Sequence, residues 1–326
     1  MATLQRHIKN IQYFCQPTSQ RYRERKEVDT MQERIAKIIK KWNIEVCKAV
    51  QIYDTAWQID DKYILKIYND VNMLERNIKI LSILEDMNIP IGRLIFTSEN
   101  AAFAKDDQYN YILSEKLNGS HIVSLQQIQD IGVEMGRIIA KLHIAFKECE
   151  NQEEFWNNSL LAEMQGWIRN TFCENDWKYI EEKKFEETVE QLALLYDHLP
   201  VQLIHRDVHF GNFLFDEGKF SGYIDFDLSQ RNVRIFDSCY FVLGLLSEEE
   251  EIDITNEEWF EIVKDVFDGY DQEIPLSADE LKAIPYVMKS IELLFAAWFL
   301  GQNDMKRVED SLKIFRFVDE NMQCLR

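Results

Sequence analysis

Apolar and polar positions follow two different periods along this chain, and the places where the period changes outline its elements. Ile35, Ile38, Ile39 and Trp42 recur at helical spacing, which predicts a helical N-terminal extension over residues 1 to about 45. From Val46 the pattern turns to strands: CKAVQIYDTAWQI, a turn at DDK, then YILKIY. Residues 71 to 87 return to the helical period, with Leu74, Ile78, Leu81 and Leu84 on one face. Beyond Pro90 and Gly92 two strands are predicted, Arg93 to Thr97 and Tyr109 to Ser114, and Gly119 marks the turn into the second half. Ser124 and Gln127 form a capping box, and the helix it opens carries Ile128, Ile131, Met135, Ile138, Ile139 and Leu142. A helical insertion at about 150–199 follows, whose aromatics Trp156, Trp167, Phe172 and Trp177 are expected in the core. Strands are then predicted at Val201 to Ile204 and Tyr223 to Phe226 with the turn DEGK between them, and helices at about 236–246, 256–269, 278–300 and 304–321. The pattern is that of an α+β chain, strand-rich to about residue 116 and mainly helical from 117 to 326.

Composition narrows this further. With 326 residues and 46% hydrophobic content, the chain is long enough for two cores. The 11 glycines and 5 prolines are too few for long low-complexity segments. The six cysteines are scattered without paired spacing, so neither a disulfide framework nor a zinc site is indicated and buried, reduced thiols are expected. The start, MATLQRHIKN, has no apolar signal core, and LLFAAWFLGQN from Leu293 is too short to span a bilayer. A cytoplasmic protein without a membrane partner is therefore expected. The net charge of −20 argues against nucleic acid, whose phosphates are bound by excess Lys and Arg. Residues 1–50 are nonetheless net basic, so the remainder is more acidic still and leans toward a cationic ligand. The basic cluster RYRERK at 21–26 and the acid-rich run from Glu248 to Glu261 read first as solvated faces, and the second also as a candidate wall for an amino group.

The chemistry concentrates between Val201 and Leu228, VQLIHRDVHFGNFLFDEGKFSGYIDFDL. Asp207, Asn212 and Asp225 have the types and order that phosphoryl transfer uses: one carboxylate to take the attacking hydroxyl's proton, and an amide and a second carboxylate to hold Mg²⁺. Hard oxygen donors suit Mg²⁺, which keeps phosphate and water in its shell. A competing reading places His205, Asp207 and His209 on one strand face as a Zn²⁺ site, and leaves Asn212 and the IDFD segment unexplained. His205 and His143 read as structural, and Arg206 as a loop strut or a phosphate contact. Lys66 lies inside the apolar strand YILKIY, where an ammonium needs an anionic partner such as a phosphate.

This run resembles the catalytic segment of the aminoglycoside phosphotransferase and choline kinase family, small-molecule kinases with a protein-kinase-like fold. The resemblance covers nearly everything after residue 45. It implies a two-lobed α+β fold: an N-lobe at 46–116 with a small antiparallel sheet and one helix, and a C-lobe at 117–326. It implies transfer of the γ-phosphate of ATP, with Mg²⁺, to a hydroxyl of a small molecule such as an aminoglycoside, an amino alcohol, a homoserine-like amino acid or a sugar. Asp207 would be the base, Asn212 and Asp225 the metal ligands, and Asp237 a buried brace of the catalytic loop. Asp227 matches a position often acidic in the family. Lys66 and Thr55 would meet the nucleotide phosphates, and the backbone from Glu115 to Leu117 would meet adenine. Two departures stand out. The loop from Ile52 to Thr55 has no glycine, and the helix position that carries the family's Lys-pairing Glu matches Asn77. Glu75 does not substitute, because at about 100° per residue the two positions point about 200° apart. These departures motivate the alternative of a kinase-shaped binding or structural protein of spore-coat type.

Overall fold

The computed structural model describes residues 31–122, 125–247 and 254–325. The capping box at Ser124, the cluster at 21–26 and the first part of the acid-rich run lie outside them. The chain divides into two compact units, 1–82 with 92–117 and 83–91 with 118–326.

The first unit is built on an antiparallel sheet of six strands. β1 (Ala49–Tyr53), β2 (Ala56–Ile59), β3 (Tyr63–Tyr68) and β6 (Asn110–Glu115) pair in that order, with β4 (Leu94–Ile95) and β5 (Ala104–Lys105) both on β6. β4 is shorter than the predicted strand, and β5 carries no apolar run that would announce it. β3 is paired on both edges, and its alternate residues divide between cores on the two faces of the sheet. Leu65 and Ile67 pack with Trp57, Tyr111 and the N-terminal stripe of Ile35, Ile38, Ile39 and Trp42. Tyr68 points to the other face, into a cluster with Leu74 of helix α1 (Val71–Asp86), Leu94 and Ile112. Trp42 adds a hydrogen bond from its Nε1 to the Ile95 carbonyl at 2.6 Å.

The second unit is mainly helical. Its helices are α2 (Leu125–Gln152), α3 (Leu160–Glu163), α4 (Arg169–Glu174), α5 (Glu182–Tyr196), α6 (Ile235–Gly244), α7 (Asn256–Glu273), α8 (Ala278–Gln302) and α9 (Met305–Glu320). A π-helical turn, Met164–Ile168, joins α3 to α4. Among the insertion's aromatics Phe172 is fully buried, whereas Trp156 is exposed, against expectation. Helices α2 and α7 cross at glycine: a Cβ on Gly136 would lie 1.9 Å from the Val266 carbonyl oxygen, and one on Gly269 1.9 Å from that of Val133. Helix α8 is long and apolar enough to cross a membrane, contrary to the short stretch read from Leu293, but 83% of that window is buried inside the fold. The thiols also depart from expectation: Cys149 and Cys239 are buried, while Cys47, Cys173 and Cys324 are exposed.

Two short ribbons frame the segment from Val201 to Val233. β7 (Val201–Ile204) pairs antiparallel with β10 (Gln230–Val233), and β8 (Phe213–Asp216) with β9 (Lys219–Tyr223). The predicted strand Tyr223 to Phe226 is therefore corrected. The DEGK turn closes β8 on β9, and the chain leaves the ladder at Tyr223, because Asp225 takes a left-handed backbone with φ of 60° that no strand accepts.

Candidate active site

The loop from His205 to Phe210 follows the end of β7 and is held by a buried carboxylate. Asp237, in the first turn of α6, accepts the backbone N–H of His205 through Oδ2 and that of Arg206 through Oδ1, both at 2.8 Å. His143 of α2 bonds the same Oδ2 through Nε2 at 3.0 Å, and its Nδ1 meets the Tyr270 hydroxyl at 2.8 Å. Arg206 has φ of 66° and reaches Glu163 with both carboxylate oxygens engaged, at 3.0 and 3.1 Å. It is a strut to the inserted helices. His205 is fully buried; its Nε2 lies 3.1 Å from the Ile224 carbonyl and its ring rests 5.1 Å from that of Phe226. The segment is not a strand, so His205, Asp207 and His209 do not line up on one strand face. Among the described residues no three His, Cys, Asp or Glu side chains gather as a metal cluster.

Asp207 is 7% exposed and its carboxylate is surrounded by donors. Asn212 Nδ2 donates to its Oδ2 at 3.1 Å and to its backbone carbonyl at 2.8 Å, and the Tyr240 hydroxyl donates to Oδ1 at 3.3 Å. His209 Nε2 faces Oδ2 at 3.7 Å. Gly211 N–H donates to His209 Nδ1 at 3.1 Å, so Nδ1 is the acceptor nitrogen and the ring proton of the neutral form sits on Nε2, toward Asp207. A Cβ on Gly211 would fall 2.6 Å from His209 Cε1, so a larger residue there requires the ring to shift. Burial alone pushes the Asp207 carboxyl up, but hydrogen bonding from the His209 ring and the Asn212 amide outweighs it and holds the group below the usual carboxylate range.

The hairpin then brings the third residue alongside. Ile224 N–H donates to the Asn212 carbonyl at 3.1 Å, which sets Asp225 next to Asn212 at the open end of β8 and β9. Asp225 Oδ1 accepts the Asp227 N–H at 3.3 Å. The amide nitrogen of Asn212 is committed to Asp207, so its oxygen is directed away from that carboxylate. An amide oxygen and a carboxylate are hard donors of the kind Mg²⁺ takes, so the residue types Asn212 and Asp225 fit that ion.

The other sequence-predicted site residues belong to the first unit. Lys66, on β3, holds its Nζ 5.6 Å from the centroid of the Tyr68 ring. Thr55 sits in the β1–β2 turn, and its carbonyl accepts the Ile67 N–H at 2.8 Å. Glu115 ends β6, and Leu117 closes the unit. The N–H groups of Glu115 and Lys116 donate to the carbonyls of Arg93 and Lys62 at 2.8 Å, so they brace the sheet and do not face a ligand. Tyr240 and Glu163 were missed by sequence reasoning. Tyr240 lies one helical turn beyond Asp237, a spacing that is a usable signal once Asp237 is placed; nothing local marks Glu163.

Comparison with known proteins adds the following. The family model described as phosphotransferase enzyme family matches residues 49–276. No curated protein matches the chain in sequence. Among solved structures, the chain is similar to the amicoumacin kinase hAmiN in complex with AMP-PNP, Ca²⁺ and Ami, with 16% identity, a TM-score of 0.65 and coverage of 93% of this chain and 95% of that one. It is also similar to a microcompartment-associated aminopropanol kinase, at 16% identity and a TM-score of 0.63 over 91% and 99% of the two chains. A Plasmodium vivax ethanolamine kinase matches at 16% identity and a TM-score of 0.56 over 84% and 82%. The likeness establishes the two-lobed, kinase-like α+β fold.

Proposed function

This chain belongs to the phosphotransferase enzyme family, and from that premise we propose that it moves the γ-phosphate of ATP to a hydroxyl of a small, amine-bearing molecule, with Asp207 as the base. The observation that carries the reading is the contact of Asp207 with Asn212, together with the backbone bond from Ile224, the residue before Asp225, to the Asn212 carbonyl. Asp207 is ionised at neutral pH because its donors outweigh burial. It orients the acceptor hydroxyl through the carboxylate edge and takes its proton as the new P–O bond forms. Tyr240 and Asn212 hold one oxygen each, which fixes the plane of that carboxylate. Asn212 and Asp225 would hold Mg²⁺, which when bound neutralises charge on the transferring phosphates. Lys66, with Thr55, would engage the nucleotide phosphates, and the Glu115 carbonyl with Leu117 the base.

The amine in the acceptor rests on charge: at a net −20 the protein attracts cations and repels anions. Ethanolamine and aminopropanol, named for two kinases of this fold, are hydroxyl compounds that carry an amine. The test is nucleotide consumption with ATP and Mg²⁺ against matched panels of amino alcohols, aminoglycosides and amine-free polyols, followed by Asp207→Asn with the best acceptor. Turnover confined to amine-bearing hydroxyl compounds and lost in Asp207→Asn supports the reading. Undiminished turnover in Asp207→Asn removes the base, and preference for neutral polyols removes the amine.

A further inference from the structure

Lys66 and Tyr68 stand two residues apart on β3 and so project from the same face of the sheet. That face carries the cluster of Tyr68, Leu74 of α1, Leu94 and Ile112. Tyr68 is 4% exposed, and its hydroxyl accepts a hydrogen bond from Asn77 Nδ2 at 3.0 Å. Asn77 itself is 2% exposed and lies on the apolar stripe of α1, whereas Glu75 is exposed. A buried amide on an apolar stripe costs free energy unless its hydrogen bonds repay it. Here the bond is to the ring over which the Lys66 ammonium lies.

We infer that Tyr68 is the seat of the Lys66 ammonium and that Asn77 locks the seat, an amide, phenol and ammonium relay that positions Lys66 for the nucleotide phosphates. The inference rests on the proposed phosphate role of Lys66. An ammonium within about 6 Å of a ring centroid is drawn to the ring face, and more strongly when desolvated. Asn77 sets the tilt of the ring by holding the hydroxyl, and β3 sets its position. Tyr68 and Asn77 are thus positioning residues that act through Lys66.

Two readouts separate this from a packing role. In the first, lysines of the folded protein are reductively methylated with ¹³C, and the Lys66 signal is assigned with Lys66→Arg. Its methyl resonances are expected upfield because of the Tyr68 ring, shifted less in Asn77→Leu and Tyr68→Phe, and at the exposed-lysine position in Tyr68→Leu. In the second, Tyr68→Leu is expected to raise the nucleotide KM about 10-fold, and Tyr68→Phe and Asn77→Leu about 3-fold each, with kcat changed less. Tyr68→Phe and Asn77→Leu remove the same bond, so the double variant is expected to be no worse than either single one. Asn77→Gln, which keeps the donor, is expected to recover part of the loss. A Lys66 signal and nucleotide KM at wild-type values in folded Tyr68→Leu overturn the seat; should that variant not fold, wild-type values in Tyr68→Phe and Asn77→Leu overturn the lock and with it the relay. Lys66→Met distinguishes the two levels. If it leaves the nucleotide KM unchanged, the phosphate role fails while the upfield signal still reports the seat; if it raises KM and the Tyr68 variants do not, the seat alone fails.

Discussion

At the scale of single residues, the candidate site depends on how one carboxylate is dressed. Asp207 is almost fully buried yet held in its ionised form by donors on both oxygens. Asp207→Asn keeps the shape and removes the proton acceptor, so kcat is expected to fall by about 10² to 10⁴ with the melting temperature nearly unchanged; steady-state kinetics beside a thermal melt checks both. Gly211 provides a subtler handle. Its added Cβ in Gly211→Ala meets the His209 ring at 2.6 Å, and the ring must move away from Asp207. We expect kcat to drop about 10-fold or more in that variant while binding of the nucleotide, measured by calorimetry, stays within about 2-fold. The contact of Asp207 with Asn212 lies within one short loop, so residue spacing is enough to point to it. Glu163 was not legible in the sequence, because it reaches Arg206 from another element and leaves no trace in residue spacing, and the spacing of Tyr240 from Asp237 becomes a signal only once Asp237 is placed.

At the scale of elements, the same carboxylate chemistry becomes architecture. Asp237 ties the start of α6 to the loop from His205 to Phe210 and, through His143, to α2 and Tyr270 of α7. Asp237→Ala strips two backbone N–H groups and a buried histidine of their acceptor at once. A loss of about 3–5 kcal/mol, read from urea midpoints, is expected, with activity falling even where the protein remains folded. The α2–α7 crossing offers a second test without any charge. Gly269→Ala places a methyl against the Val133 carbonyl, and the helices must separate, for a cost of about 1–3 kcal/mol in the same measurement. Helix periods were read well from the sequence, as α1, α6, α7, α8 and α9 fall within a few residues of their expected ranges. The IDF segment was misread as a strand, since β-branched and aromatic residues favour a strand locally, while the left-handed Asp225 obeys a demand set by the hairpin and loop around it.

At the scale of the whole molecule, a buried acid in α8 gives stability a pH dependence that its surface charge does not explain. Burial pushes the Glu292 carboxyl well above its ordinary value, and the nearby Asp310 charge adds to this against a hydrogen bond from Ser311. The folded state therefore binds this proton more tightly than the unfolded chain. Its contribution is fully present below the ordinary glutamate range and is lost as pH rises through the raised folded value. Glu292→Gln, a neutral isostere, is expected to match the wild type near pH 4.5 and exceed it near pH 8, as urea midpoints across that span will show; parallel profiles would rule this out. The sequence by itself determined the α+β order of elements and the kinase-like resemblance, because periodicity and short-range spacing are properties of neighbours along the chain. Only the tertiary structure decided that Glu292 is sealed in, that Arg206 braces against Glu163, and that Asn77 bonds the ring under Lys66. Those facts depend on which surfaces exclude water together and which distant groups meet, and no local pattern encodes either.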